Sequence, residues 1–410
     1  MAEIKMKARG ENSLVTKAVD WFVDGLKANQ IYELTLTREL PTYQLRSRAV
    51  FRSDVNGEIH PNKTSPLSGS YLAVDAMGLF WSMEKVNRKQ AVEKEQKVAP
   101  RYYMLTLRHQ EETLDSISIR RYWHCSSITR KAVLEERIIG TYFYEKGVRK
   151  PTVLIVGGSE GGIYEEYAAA LANEGFHTFA IGYFNVPSGP AQLVHIELDQ
   201  VENVLQWLKK RPETIGEIGI HGTSRGGELA LWSSIHVAQI SACVSLNGMR
   251  YSMAGIVPWS EEQWLPPAWK YHGVPLPYLT PLNPKKIAMA CKELFLKGEN
   301  PFKIWYEALY EQIAQFPKAK IPLEQSGKPT LLIAGQEDGM FPAEVLTQTE
   351  TCDYVQRILY PEAGHEIGIP YLPIFATSYL GGRKRETAMA SIESWKEVIQ
   401  FFHTHLQKES

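Results

Sequence analysis

The 410-residue sequence is poor in cysteine, in charge of one dominant sign and in long apolar runs, and each shortage excludes a class of protein. Its four cysteines, Cys125, Cys243, Cys291 and Cys352, stand far apart with no Cys-x-x-Cys pair. That pattern argues against a structural zinc site or a disulfide framework and predicts reduced thiols in a cytoplasmic setting. Lys and Arg number 45 against 46 Asp and Glu, a formal net charge of −1. Such a balance leaves no electrostatic footprint for nucleic acid, and short basic runs such as Arg383-Lys384-Arg385 read as solvated surface. No stretch reaches the roughly 20 apolar residues of a membrane span. Residues 1–13 lack the apolar core of a signal peptide, and Lys408-Glu409-Ser410 is not a peroxisomal address.

The length predicts two domains, and the two halves follow different patterns. Residues 31–37, 43–51, 102–108, 116–122 and 133–139 alternate or run apolar and are separated by turn signals such as Asn56-Gly57. Apart from a helical spacing over 14–26, this half reads as an all-β sandwich over residues 1–140, with the charged stretch 85–97 as a loop or edge. From Pro151 onward, short apolar runs (152–156, 177–181, 218–221, 242–246, 330–333) alternate with helical patterns (164–173, 197–209, from Gly226). Alternation of this kind predicts an α/β domain over 141–410 with a mostly parallel, doubly wound sheet, joined through a linker at 145–150.

The chemistry-bearing pattern is Gly222-Thr223-Ser224-Arg225-Gly226. A serine hydroxyl is a weak nucleophile until a base takes its proton. In Gly-x-Ser-x-Gly the serine rides a strained strand-to-helix turn, with glycines where side chains would strike neighbouring backbone. The motif by itself is weak, since a glycine–serine turn arises by chance. Here an expected strand precedes it and an expected helix follows, as the mechanism of an α/β-hydrolase requires.

In that fold an acid and then a histidine follow the serine. Gly335-Gln336-Glu337-Asp338 closes the strand at 330–333, so Glu337 or Asp338 sits at the sheet edge where α/β sites form. Pro361-Glu362-Ala363-Gly364-His365 follows the apolar run 357–360, and His365 alone has the right place in the order. Of the other histidines, His221 reads as packed in its strand, His403 and His405 as helix surface, and His195 and His272 as open candidates for substrate contact. The backbone N–H of Arg225 is one expected oxyanion donor, at a helix N-terminus directly after the serine. The second is expected from the glycine-rich loop 157–162, at Ser159 or Glu160. Read instead as a phosphate loop, 157–162 lacks the Lys-Ser/Thr ending and the G-x-G-x-x-G spacing.

With these residues in hand, the chain resembles the type-I acyl-CoA thioesterase and bile acid-CoA:amino acid N-acyltransferase family, over nearly its whole length. The likeness rests on Gly69-Ser70-Tyr71 and Met77-Gly78-Leu79-Phe80-Trp81 in the first half. In the second half it rests on Gly222 to Leu229, Gly335-Gln336-Glu337-Asp338, Tyr360 to His365 and the closing 388–402. The resemblance implies Ser224, Asp338 and His365 as a catalytic set and favours Asp338 over Glu337. It also implies an acyl-CoA substrate, with CoA as leaving group, and calls for no metal or other cofactor. The connection 251–325, rich in Trp and Tyr, is longer than in the mammalian members and reads as a lid. Its aromatics line an acyl tunnel or form a satellite core beneath a long loop. Family members with cysteine as nucleophile transfer acyl groups to amines. Ser224 gives an oxygen ester instead, which suits hydrolysis. A carboxylesterase, a peptidase-like hydrolase or an acyltransferase on another acyl substrate remains an alternative, and a non-catalytic scaffold a remoter one.

Overall fold

The computed structural model describes residues 4–87, 96–135, 137–257, 265–348 and 352–407. They divide into two compact units: Met1–Cys125 with Ile369–Phe375, and Ser126–Gly368 with Ala376–Ser410.

The first unit is β-rich. Asn12–Leu14, Glu112–Tyr122, Arg101–His109, Ile31–Glu39, Gln44–Arg52 and Ser68–Gly69 lie side by side in that order, and Glu84–Val86 also pairs with Gln44–Arg52. Gln44–Arg52 buries every second residue, so its sequence alternation becomes one inward face carrying Leu45, Ala49 and Phe51. A separate ribbon joins Lys5–Arg9 to Asp20–Asp24. The helix expected over 14–26 is therefore absent. Val19, Trp21 and Val23, two apart, all point inward, and this period of two outweighs the looser helical match. Part of the charged stretch 85–97 lies outside the described residues; its start forms the edge strand Glu84–Val86.

The second unit holds an eight-stranded sheet. Its strands are β1 (Ile128–Glu135), β2 (Ile138–Glu145), β3 (Lys150–Val156), β4 (His177–Ile181), β5 (Thr214–Thr223), β6 (Ile240–Leu246), β7 (Thr330–Gly335) and β8 (Val355–Tyr360). They are ordered β1-β2-β4-β3-β5-β6-β7-β8. From β3 to β8 every neighbouring pair is parallel, and β2 adds antiparallel to β4. β3 is buried on both faces from Pro151 to Val156, which is why it reads as an unbroken apolar run.

Residues 133–139, read above as one strand of the first half, are the two sides of the β1–β2 hairpin, with Glu135 opposite Ile138. The hairpin supplies the antiparallel partner that the exposed edge of β4 needs. The boundary accordingly falls after Cys125 rather than near residue 140. Residues 145–150 are the turn between β2 and β3, where Gly147 takes φ +76°.

Helices α1 (Glu165–Ala172), α2 (Asp199–Lys209), α3 (Arg225–His236), α4 (Pro284–Leu296), α5 (Pro301–Tyr310) and α6 (Lys384–Leu406) complete this unit. α6 packs on β5, β6 and β7, and a Cβ on Gly219 would come within 2.6 Å of the Phe402 ring, so glycine there lets the helix seat. No helix among the described residues is long and apolar enough to cross a membrane. The chain leaves β3 for β4 on one side and returns to β5 on the other. Such a reversal opens a crevice at the carboxyl ends of β3 and β5, where α/β proteins bind ligands.

Candidate active site

Ser224 stands at that crevice, between β5 and α3, with φ +53° and ψ −124°. A positive φ at a non-glycine residue stores about 1–3 kcal/mol and needs support from its surroundings. That support is visible. The Ser224 N–H donates to Leu246 O at 2.9 Å, and Gly227 N–H donates to Ser224 O at 2.8 Å. A Cβ on Gly222 would meet Gly226 O at 2.1 Å, and one on Gly226 would meet Gly157 O at 2.1 Å. The two motif glycines are thus dictated by backbone contact.

Asp338 follows β7 and His365 follows β8, so both project from the same sheet edge as Ser224. His365 Nε2 lies 3.1 Å from Ser224 Oγ, and Nδ1 lies 2.6 Å from Asp338 Oδ2. The Asp338 side chain has no exposed surface, and its other oxygen accepts from Met340 N–H at 2.8 Å. Glu337, the competing acid, is exposed. The ring of Phe341 stands edge-on to the imidazole, 5.3 Å between centroids. Backbone contacts hold the histidine loop: His365 N–H donates to Leu380 O at 2.8 Å, and Gly364 N–H to Thr387 Oγ1 at 3.0 Å. In such a line the imidazole can take the serine proton while the carboxylate fixes its tautomer.

The glycine loop after β3 comes close to the serine, since a Cβ on Gly158 would lie 3.1 Å from Ser224 Cβ. Gly161 N–H donates to Gly158 O at 3.2 Å, closing a turn whose own bond uses neither the Ser159 nor the Glu160 amide. Tyr183 Oη donates to Gly157 O at 2.6 Å and braces the loop from below. Arg225 is the first residue of α3, so its N–H has no carbonyl one turn earlier to bond.

The guanidinium of Arg225 does not reach out toward substrate. It is buried against Glu228, Nε to Oε1 2.5 Å, an ionic contact rather than a well-aligned hydrogen bond. Glu228 also accepts from Trp269 Nε1–H at 2.8 Å and from Met253 N–H at 3.0 Å, while Arg225 Nη2 donates to Met253 O and Ala254 O, each at 3.1 Å. Burial lifts the Glu228 carboxyl above its usual range, and the guanidinium and these donors offset the rise only in part. The network fastens the root of the 251–325 connection to the serine's own helix.

Within that connection Tyr306, Met253, Leu279 and Leu309 form a buried cluster with Phe341, and Trp305 and Tyr251 pack onto it. For these aromatics the satellite-core reading is the one found; Trp259 and Trp264 lie outside the described residues. His221 is fully buried and stacked on Tyr167 at 4.1 Å, and burial pushes its imidazole down to about 3. His195 is exposed, and His272 pairs with Asp199 and lies tilted against the Tyr271 ring rather than meeting the serine. His403 and His405, expected on the surface, are half-buried against Phe176 and Phe401. The sequence offers Arg225 two structural partners, Glu160 and Glu228, and Glu228 is the one it meets. One residue escaped the sequence reading. Asn247, which donates to His365 O, carried no signal there.

Comparison with known proteins covers both halves. The family model described as BAAT / acyl-CoA thioester hydrolase C terminal matches residues 196–408, and the acyl-CoA thioester hydrolase/BAAT N-terminal region matches residues 16–135. Acyl-coenzyme A thioesterase 3 of Mus musculus is 27% identical over 384 residues, covering 88% of this chain and 84% of its own. Acyl-coenzyme A thioesterase 1 of Homo sapiens is 28% identical over 393 residues, covering 88% and 86%. Acyl-coenzyme A amino acid N-acyltransferase 1 of Mus musculus is 26% identical over 433 residues and covers 98% of both chains. With its C-terminal model alone spanning more than half of the sequence, the chain belongs to the acyl-CoA thioester hydrolase/BAAT family.

Proposed function

We propose that this chain is an acyl-CoA thioesterase working through an acyl-serine intermediate. The observation that carries the reading is the continuous line from Ser224 Oγ through His365 to Asp338, at 3.1 and 2.6 Å. Ser224 Oγ attacks the thioester carbonyl while His365 Nε2 takes its proton, and Asp338 steadies the resulting imidazolium. The carbonyl oxygen becomes an anion, held by the N–H group of Arg225 and by that of Ser159 or Glu160. The C–S bond then breaks, the sulfur of CoA leaves with the proton from His365, and an ester to Ser224 remains. Water, deprotonated by His365, attacks that ester. Collapse returns the proton to Ser224 and releases the fatty acid.

The serine supports water as acceptor, since an oxygen ester is less readily attacked by amines than a thioester. Transfer to an amino acid is the second reading, favoured by the near-complete coverage of the N-acyltransferase relative. Four cysteines with no disulfide among them support a reducing, cytoplasmic location. The test is a chain-length panel of acyl-CoAs and aryl esters, read by free thiol and phenol, with and without a saturating amino acid. Thiol release with fatty acid as sole product supports the thioesterase. An N-acyl amino acid instead makes it a transferase, and turnover of esters alone makes it a carboxylesterase.

A further inference from the structure

A helix lying on a protein surface needs one apolar face, and the opposite face is ordinarily polar. α4 carries two. Cys291 and Pro284 are buried and Ile287 and Leu294 half-buried on the side where α4 packs against α5. On the far side Lys285, Met289, Lys292 and Leu296 follow at i, i+4, i+7 and i+11, the spacing of one helical stripe. Met289 is 66% exposed and Leu296 is 75% exposed, and Phe295, at the tip of the α4–α5 hairpin, is 70% exposed. Lone apolar residues on a surface need no explanation, but three grouped on one short helix and its tip do. Lys285, Lys286 and Lys292 line the stripe, and of the two acids near the tip, Glu293 and Glu299, Glu293 is held by Lys297 at 2.7 Å.

We propose that the α4–α5 hairpin docks on an anionic lipid surface, with Phe295, Leu296 and Met289 entering the interface and the lysines meeting the headgroups. Exposed apolar side chains interleaved with lysines on one helix face, with a further aromatic at the tip, suit an interfacial helix: burial of the first supplies attachment, and the second gives preference for negative charge. A self-association face is a poorer fit, because pairing two copies through this stripe brings its lysines together. The inference is independent of the acyl-CoA reading, since the surface lies on α4 and its test does not measure turnover.

The experiment is flotation of the full-length protein with vesicles of phosphatidylcholine alone or with ~30% phosphatidylserine. Wild type is expected to float with the anionic vesicles and to stay behind with the neutral ones, and added salt weakens the binding. The double variant Phe295→Ser/Leu296→Ser and the double variant Lys285→Glu/Lys292→Glu each lower partitioning by about tenfold or more. All four positions are exposed, so an unchanged melting temperature in each variant is the control for folding. Failure of wild type to float, or variants that float as well as wild type, overturns the proposal. So does light scattering that reports a wild-type dimer lost in Phe295→Ser/Leu296→Ser, since the occupant is then a second copy.

Discussion

The side-chain amide of Asn247 donates to the backbone carbonyl of His365 at 2.9 Å and to that of Ile367 at 2.8 Å, across 118 and 120 residues of sequence. Asn247 is fully buried, takes φ +50° just past β6, and gives its own N–H to Ile333 O at 2.7 Å. It thus ties the end of one strand to the end of a second and to the histidine loop of a third. Asn247→Ala removes both donors while leaving every group that would touch substrate. The expected outcome is a fall in kcat of about 10- to 100-fold with KM changed far less, because misplacement of a catalytic group acts on the reacting geometry. Steady-state kinetics check it; a loss confined to KM contradicts it.

Asp338 and Glu337 are adjacent, but only Asp338 faces the imidazole. Asp338→Asn is expected to lower kcat by about 10⁴, since an amide that donates toward Nδ1 stabilises the wrong tautomer. Glu337→Gln should stay within about twofold of wild type, as for an exposed change away from the reacting atoms. Equal losses in the two variants would remove Asp338 from its role.

Arg225 and Glu228 are 3% and 0% exposed. Removing one charge strands the other in the interior, so Glu228→Ala is expected to cost about 3–5 kcal/mol of stability. The double variant Arg225→Met/Glu228→Leu should recover part of that, because no charge is stranded, although the N–H groups of Trp269 and Met253 and the carbonyls of Met253 and Ala254 lose these partners. Urea denaturation of the three proteins measures the difference. A double variant less stable than Glu228→Ala would mean that the charges themselves hold the connection in place.

His221 predicts how stability responds to acid. Neither ring nitrogen has a hydrogen-bond partner among the described residues, and its folded value is about 3 against an ordinary value of 6.5. Below pH ~6.5 the unfolded chain takes up a proton that the folded chain refuses, so stability falls with pH at up to about 1.4 kcal/mol per unit until the folded value is reached. His221→Phe keeps the stack on Tyr167 and removes the titrating group. Melting temperatures between pH 7 and pH 4 should therefore decline less steeply in the variant than in wild type; parallel curves would contradict the assignment.

The second unit and its candidate site were legible because their signals are local. Parallel strands buried on both faces read as apolar runs, and Ser224 and Asp338 sit where such a run ends beside glycine, while His365 follows the half-buried edge strand β8 and Gly364. Glycine is required there by contacts of about 2 Å: a Cβ on Gly335 would meet Ala363 O at 2.2 Å, and one on Gly364 would meet Gly381 O at 2.2 Å. The errors arose where local pattern is ambiguous or the partner is distant. Residues 14–26 carried apolar spacing compatible with either period until Trp21 and Val23 were seen to share a strand face. β1 and β2 looked like more of the first half because an antiparallel hairpin has the same alternation wherever it docks. Trp269 meets Glu228 across 41 residues, and nothing near either residue announces the other.

The central claim is that Ser224 carries the acyl group, and rapid quench of the protein with a saturating acyl-CoA, followed by intact-mass measurement, tests it most directly. Wild type is predicted to gain the mass of one acyl group on the peptide containing Ser224, with a matching burst of free thiol. Ser224→Ala is predicted to show neither the adduct nor turnover above the uncatalysed rate. Thiol release that persists in Ser224→Ala, or an acyl adduct on a different residue, would contradict the account.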